Sequence, residues 1–204
     1  MKPAASVALL ALLVAAAPAP AAEPTIELTP FAAYRFGGGF DDAATGAGSS
    51  LDSAASFGAV VSFRVGFGSF LELAYSRQDS AVGTPPWAGP PGTIDVKVEY
   101  LTGGGLYEFS MDDLRPFLAL SAGVTRFSSD DAEVGSDTRL ALGLSGGFKY
   151  TITRNLRLRL EGRLWMTVTE SGSAALCQGG SCLLVFGASG FYQFEVLGGV
   201  TLAF

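Results

Sequence analysis

Counting back from Phe204 in steps of two gives Leu202, Val200, Gly198, Val196, Phe194 and Tyr192, an apolar row with aromatic residues at both ends. The interleaved row, Ala203, Thr201, Gly199, Leu197, Glu195, Gln193 and Phe191, is small or polar and carries one carboxylate. A period of two with one greasy face dictates a strand, because successive side chains leave opposite sides of the backbone. Residues 191–204 make a strand that is long for a soluble sheet. They suit a tilted strand crossing a bilayer, which needs about 9–11 residues.

The same alternation recurs over 25–36, 53–65, 70–78, 94–109, 115–127, 138–152 and 156–169. In 138–152, Leu140, Leu142, Leu144, Gly146, Phe148 and Tyr150 oppose Arg139, Ala141, Gly143, Ser145, Gly147 and Lys149. In 156–169, Leu156, Leu158, Leu160, Gly162, Leu164, Met166 and Val168 oppose Arg157, Arg159, Glu161, Arg163, Trp165 and Thr167. In 94–109, Ile94, Val96, Val98 and Tyr100 form the apolar row against Asp95, Lys97 and Glu99. Further along that segment Glu108 falls out of phase. Gly103-Gly104-Gly105 is therefore expected to contain a bulge that returns Glu108 to the polar row.

The connections alternate in length. Residues 37–52, 79–93, 128–137 and 170–190 are long and rich in Gly, Pro, Ser and Asp, and read as loops; 66–69, 110–114 and 153–155 are short turns. In an antiparallel sheet this alternation sends every long loop to one end and every short turn to the other. The expected fold is all-β: an eight-stranded antiparallel up-and-down transmembrane β-barrel.

Composition decides which way the rows face. The pattern alone fits a soluble barrel with its apolar row inside equally well. Here, however, the polar rows are mostly Gly, Ala, Ser and Thr. Charged residues are only 16% of the chain, against about a quarter in soluble domains. The 27 glycines and 15 phenylalanines favour strands over helices, and beyond residue 22 no apolar run approaches the 18 residues of a membrane helix. Tyr34, Phe36, Phe148, Tyr150, Tyr192 and Phe204 lie near strand ends on the apolar row, where an interfacial girdle needs them.

With the apolar rows toward lipid, the polar rows fill the lumen. The expected lumen charge network is Glu27, Arg35, Arg64, Glu72, Lys97, Glu99, Arg139, Lys149, Arg157, Arg159, Glu161, Arg163 and Glu195. Eight strands enclose a space just wide enough for side chains. Buried charges must be paired or hydrated, so the expected product is an ion-pair plug centred on Arg159, Glu161 and Arg163.

The first 22 residues read as a secretory signal peptide: Lys2, an apolar run over 7–17, and Ala19-Pro20-Ala21 as the cleavage motif. That leaves 23–204 as the barrel domain of an exported protein. In an oxidising compartment Cys177 and Cys182 are expected to form a disulfide. With 13 basic and 19 acidic residues, a net charge of −6 and no basic cluster, the chain is a poor nucleic-acid binder. The absence of histidine removes Ser-His-Asp triads and the usual histidine-bearing metal sites. No catalytic, cofactor or metal site is expected, and the chain is not expected to be an enzyme. Asp41, Asp42, Asp130, Asp131, Glu133 and Asp137 read as solvated loop acids, with divalent cations held alongside lipopolysaccharide phosphates as the alternative, and Arg77 and Arg126 as rim residues able to snorkel toward headgroup phosphates.

The signal peptide, the eight alternating segments, the long and short connections and the terminal Phe204 together resemble the small OmpA/OmpX-type outer-membrane β-barrel proteins. The resemblance spans 23–204. It implies location in the bacterial outer membrane, with lipid and lipopolysaccharide around the barrel. It also implies a closing strand whose Phe204 is read by the barrel-assembly machinery. The printed chain ends with the barrel, so a periplasmic peptidoglycan-binding domain is not expected. The expected role is that of a monomeric structural or surface-interaction barrel acting through its long loops, with a narrow channel for small solutes or ions as the alternative.

Overall fold

The computed structural model describes residues 25–42, 48–83, 93–109, 112–129, 136–169, 174–178, 181–185 and 190–204. Of residues 40–42, 48–50, 82–83, 93–94, 174–178 and 181–185 it describes the backbone alone. Residues 1–24, expected to hold the signal peptide, most of the 79–93 loop beyond Gly83 and the acids Asp130, Asp131 and Glu133 lie outside the described residues.

Eight long strands build the barrel: β1 (Ile26–Gly37), β4 (Ala54–Gly66), β5 (Ser69–Gly83), β6 (Thr93–Glu108), β7 (Leu114–Ser128), β8 (Asp137–Thr153), β9 (Leu156–Val168) and β12 (Gly190–Ala203). Four short ones lie in two of the long connections: β2 (Gly39–Asp42), β3 (Gly48–Ser50), β10 (Ala174–Gln178) and β11 (Ser181–Val185). The long strands close in the order β1-β12-β9-β8-β7-β6-β5-β4, and every pairing is antiparallel. The first and last strands meet with Leu28 opposite Leu202 and Tyr34 opposite Val196. The Thr25 amide donates to the Phe204 carbonyl at 2.8 Å and the Phe204 amide to the Ile26 carbonyl at 2.9 Å, so the terminal aromatic residue is part of the closing seam. Closure leaves the barrel no free edge.

Three tight turns gather at one end. In the first, Gly68 has φ +67°, and a Cβ there would stand 2.7 Å from the Glu108 carbonyl oxygen, so only glycine fits. The four long connections gather at the other end.

Two expectations change here. The connections 37–52 and 170–190 are not irregular throughout: β10, β11, β2 and β3 form a second, four-stranded sheet in that order. It is joined across the chain by Leu184 opposite Asp42 and Val185 opposite Asp41. Pairing between segments this distant leaves no local pattern to read. The bulge in β6 is also absent. Lys97 to Glu108 pair with β7 in unbroken register, and the strand pairs equally regularly with β5. Gly104 faces inward, where a Cβ would lie 2.1 Å from the Leu120 carbonyl oxygen. Gly104 alone of the three serves close strand approach, and no residue is inserted.

The outer surface is apolar around the circumference. Leu71, Leu73, Leu118, Leu120, Leu140, Leu144, Leu158, Leu160, Leu164, Val196 and Val200 are all exposed, Leu120 by 68%. Outward aromatics stand at both ends. Tyr34, Phe36, Phe57, Tyr75, Tyr192 and Phe194 ring the long-loop end; Phe63, Phe67, Tyr107, Phe109, Phe148, Tyr150 and Phe204 ring the short-turn end. An exposed apolar surface that encircles a whole molecule needs lipid, not water, against it.

Candidate functional site

Among the described residues, charge is concentrated and buried in the lumen. At the short-turn end, Lys149 Nζ donates to Glu27 Oε2 at 2.7 Å and to Glu108 Oε1 at 2.6 Å. Arg157 also pairs with Glu27, and Arg115 lies 3.7 Å from Glu108 Oε2. Just above sits an apolar floor of Phe70, Leu106 and Phe117. Lys149 and Arg159 stand 4.8 and 4.6 Å from the Phe70 and Phe117 ring centroids. Cations over aromatic faces are held by the ring quadrupole where water is excluded.

The middle layer comes largely from β9, whose spacing of two points Arg159, Glu161 and Arg163 the same way. Arg159 donates from Nε to Glu161 Oε2 at 2.7 Å and grips Glu72 through both Nη atoms at 2.7 and 3.1 Å. Arg163 Nε donates to Glu161 Oε1 at 2.8 Å, and Ser62 donates to Glu72 at 2.7 Å. Glu161 is thus shared by two guanidinium groups and Arg159 by two carboxylates. Mutual satisfaction of this kind is the condition on which buried charge is tolerated.

Toward the long-loop end the network turns on Glu195. Its Oε1 accepts from Arg35 at 3.1 Å, Ser56 at 2.7 Å and Ser76 at 2.8 Å; its Oε2 accepts from Trp165 Nε1 at 3.0 Å. The Trp165 ring is stacked on Tyr100, with centroids 4.4 Å apart and planes 9° from parallel. Arg35 lies over the other aromatic, 4.8 Å from the Tyr100 centroid. Above that, Tyr100 donates to Gln193 at 2.9 Å, Gln193 to Gln78 at 3.1 Å, and Thr125 and Thr167 share a 2.7 Å bond. Phe127 and Phe191 meet edge to face across the top. A cavity of about 20 Å³ beside Thr102, Ser121, Ser145 and Arg163 has room for about one water. There Thr102 Oγ1 and Arg163 Nη1 have no hydrogen-bond partner among the described residues.

The structure brings Glu27, Arg35, Glu72, Lys149, Arg157, Arg159, Glu161, Arg163 and Glu195 into this network, as the alternation predicts. Arg64 faces inward at the short-turn mouth over Phe70, and Arg139 sits at the opposite mouth with Asp137 at 2.7 Å. Lys97 and Glu99, expected in the lumen, stand instead on the outer wall. Without a bulge the phase of β6 is set by its lower half, so Val96, Val98 and Tyr100 point inward and are buried. Glu99 accepts from the outward Tyr75 hydroxyl at 2.6 Å. Sequence reasoning also missed Arg115 and the Trp165–Tyr100 stack. Tyr100 sits in an apolar row and Trp165 in the polar row of β9, and only the register of the intervening strands brings the two rings together. The backbones of Cys177 and Cys182 lie directly opposite each other in the β10–β11 hairpin; their side chains are outside the described residues. Among the described residues no cluster of acids or thiols is arranged to hold a metal ion.

A closed barrel with an apolar, aromatic-girdled exterior and a charge-filled interior is a transmembrane β-barrel. The chain belongs to the outer membrane protein β-barrel domain family, whose model matches residues 7–174. Its location is accordingly the bacterial outer membrane. Two solved structures share the fold. Neisserial surface protein A (NspA) is 16% identical with a TM-score of 0.60, covering 88% of this chain and 97% of that one. The outer membrane protein OprG from Pseudomonas aeruginosa is 13% identical with a TM-score of 0.61, covering 89% and 97%. No curated protein matches the chain by sequence.

Proposed function

We propose that this outer-membrane barrel is closed to solutes and works through its long-loop end, as a structural or surface-interaction element and not as an enzyme. The observation that carries this reading is the saturation of the lumen, where Glu195, Glu161, Glu72 and Glu27 each have two or more donors and aromatic rings fill the spaces between. Opening a passage would require breaking several buried ion pairs together and rehydrating their charges. The long loops meet outer-leaflet lipid and lipopolysaccharide, and the barrel is monomeric. Residues 1–22 direct export and are removed, leaving 23–204. The assembly machinery reads the closing strand at Phe204, whose backbone completes the seam.

Cys177 and Cys182 form a disulfide in this reading. Directly opposed residues of an antiparallel pair lie about 4.5–5.5 Å apart at Cα, within the usual disulfide span of about 4.4–6.8 Å. The closed loop is short, so the bond contributes toward the low side of about 2–4 kcal/mol. Thiol titration of the unreduced, denatured protein should find none free. For the closed barrel, proteoliposomes should fail to swell in iso-osmotic small sugars or amino acids. Rapid swelling would favour the channel.

A further inference from the structure

On the long-loop side of the barrel the β4–β5 ladder is interrupted. The last β4–β5 pair is Ser56 with Gln78, whereas β5 stays on β6 as far as Gly83 with Thr93. The chain before β4 bends across the gap, fixed by the Asp52 amide donating to the Ala81 carbonyl at 3.1 Å. Beside this interruption, against β5 and β6, lies a cavity of about 510 Å³ lined by Asp52, Arg77, Asp79, Asp95 and Lys97, among others. That is within the usual range for a small-ligand site. Its charged residues come from the outer face, since Arg77, Asp79 and Lys97 share the outward phase of Tyr75 and Glu99.

The cavity stands directly above the aromatic girdle. Phe57 is opposite Arg77, and Tyr75 lies one outward step below it. Tyr34 donates its hydroxyl to the Ser53 carbonyl at 3.3 Å beneath the bend. The outward row through Tyr75 continues into Leu101 and Val124; the next row up reads Arg77, Glu99 and Arg126. The apolar belt therefore gives way to charge in one step, and the cavity opens sideways at headgroup depth. Its lining is mixed, three carboxylates with two cations. Arg77 engages Asp79 through Nε and Nη2 at 2.9 to 3.1 Å, and Glu99 is held by Tyr75. A purely anionic ligand would meet the three aspartates, and a purely cationic one would meet Arg77 and Lys97.

We propose that this cavity binds the zwitterionic phosphoethanolamine headgroup of an outer-leaflet lipid, with the phosphate at Arg77 and Lys97 and the ammonium among Asp52, Asp79 and Asp95. Guanidinium and ammonium groups are good phosphate donors, and carboxylates beside the membrane surface match a primary ammonium. The inference rests on the reading that the long-loop end faces the outer leaflet. It is independent of whether the lumen conducts, which the swelling assay reads separately.

The test is native mass spectrometry of the full chain in detergent, titrated with phosphatidylethanolamine, phosphatidylcholine and phosphatidylglycerol. A second pair of probes, lipid A with and without phosphoethanolamine, distinguishes phospholipid from glycolipid as the source. Phosphatidylethanolamine or the modified lipid A should be retained over its partners lacking the primary ammonium. Asp95→Asn and Arg77→Gln should each weaken that retention roughly tenfold, the loss of one charge-assisted bond, with the folded gel band unchanged. Equal retention of all headgroups, or discrimination that survives both substitutions in folded protein, would overturn the proposal.

Discussion

Strand β9 and the long-loop half of β6 alternate equally well in sequence, yet only β9 shows its orientation there. In β9 every charge is inward and every leucine faces lipid, so hydropathy and position agree. In the long-loop half of β6 they disagree: Val96, Val98 and Tyr100 fill the lumen while Lys97 and Glu99 stand outside. The difference teaches that polarity marks a face only where that face is uniform along its length. The upper lumen is a mixed zone, in which Tyr100 closes against Trp165 and Val98 is fully buried. The outer wall at the same height has left the hydrocarbon and tolerates charge. Polarity is therefore uninformative on both faces of β6 there, and unbroken register from Glu108 upward decides the phase.

Substitutions can break or sharpen this contrast. The largest effect should follow Glu161→Ala on β9, which strips a carboxylate from between Arg159 and Arg163. Loss of one partner from a buried pair costs about 3–5 kcal/mol, less where water enters. The temperature at which the folded band disappears on unboiled gels should fall markedly. An unchanged transition would show that the β9 charges are not a structural plug.

Next is Tyr100→Ala on β6. Inward, it removes a stacked ring and a donor to Gln193, with a cost of roughly 3 kcal/mol by analogy with large-to-small core changes. Were Tyr100 on the lipid face, acyl chains would fill the gap and the same gel transition would barely move. A residue-by-residue reading of phase comes from cysteine substitution in a Cys177→Ser/Cys182→Ser background. Cysteine in place of Lys97 or Glu99 should react with a hydrophilic maleimide on intact cells, and cysteine in place of Val98 should not. The reverse order would restore the bulge. The smallest effect is expected for Glu99→Ala, which removes a partly exposed partner of Tyr75. It should cost under about 1 kcal/mol, as rim interactions do; a loss comparable to that of Glu161→Ala would put Glu99 back in the lumen.

Much of the fold was legible because a barrel strand repeats the same two-residue rule over its whole length. The ends of β8, β9 and β12 fall within a residue or so of where the alternation stops. The lumen charges of β9 were legible for the same reason, and so was Glu195 opposite them. What was not legible depends on neighbours. The pairing of Asp41 and Asp42 with Val185 and Leu184 joins two loops far apart in the chain. The Trp165–Tyr100 stack joins strands that are not adjacent in the barrel. The cavity beside β5 and β6 lies where the β4–β5 ladder is interrupted beyond Ser56 and Gln78, an event with no mark in either strand's own pattern.

The central claim is that side chains seal the lumen, and single-channel recording of the purified, refolded protein in planar bilayers tests it most directly. The sealed network predicts an electrically silent barrel, with brief or no openings in the wild type and increased leakage in Glu161→Ala. A stable wild-type conductance of hundreds of picosiemens, unchanged by that substitution, would contradict it.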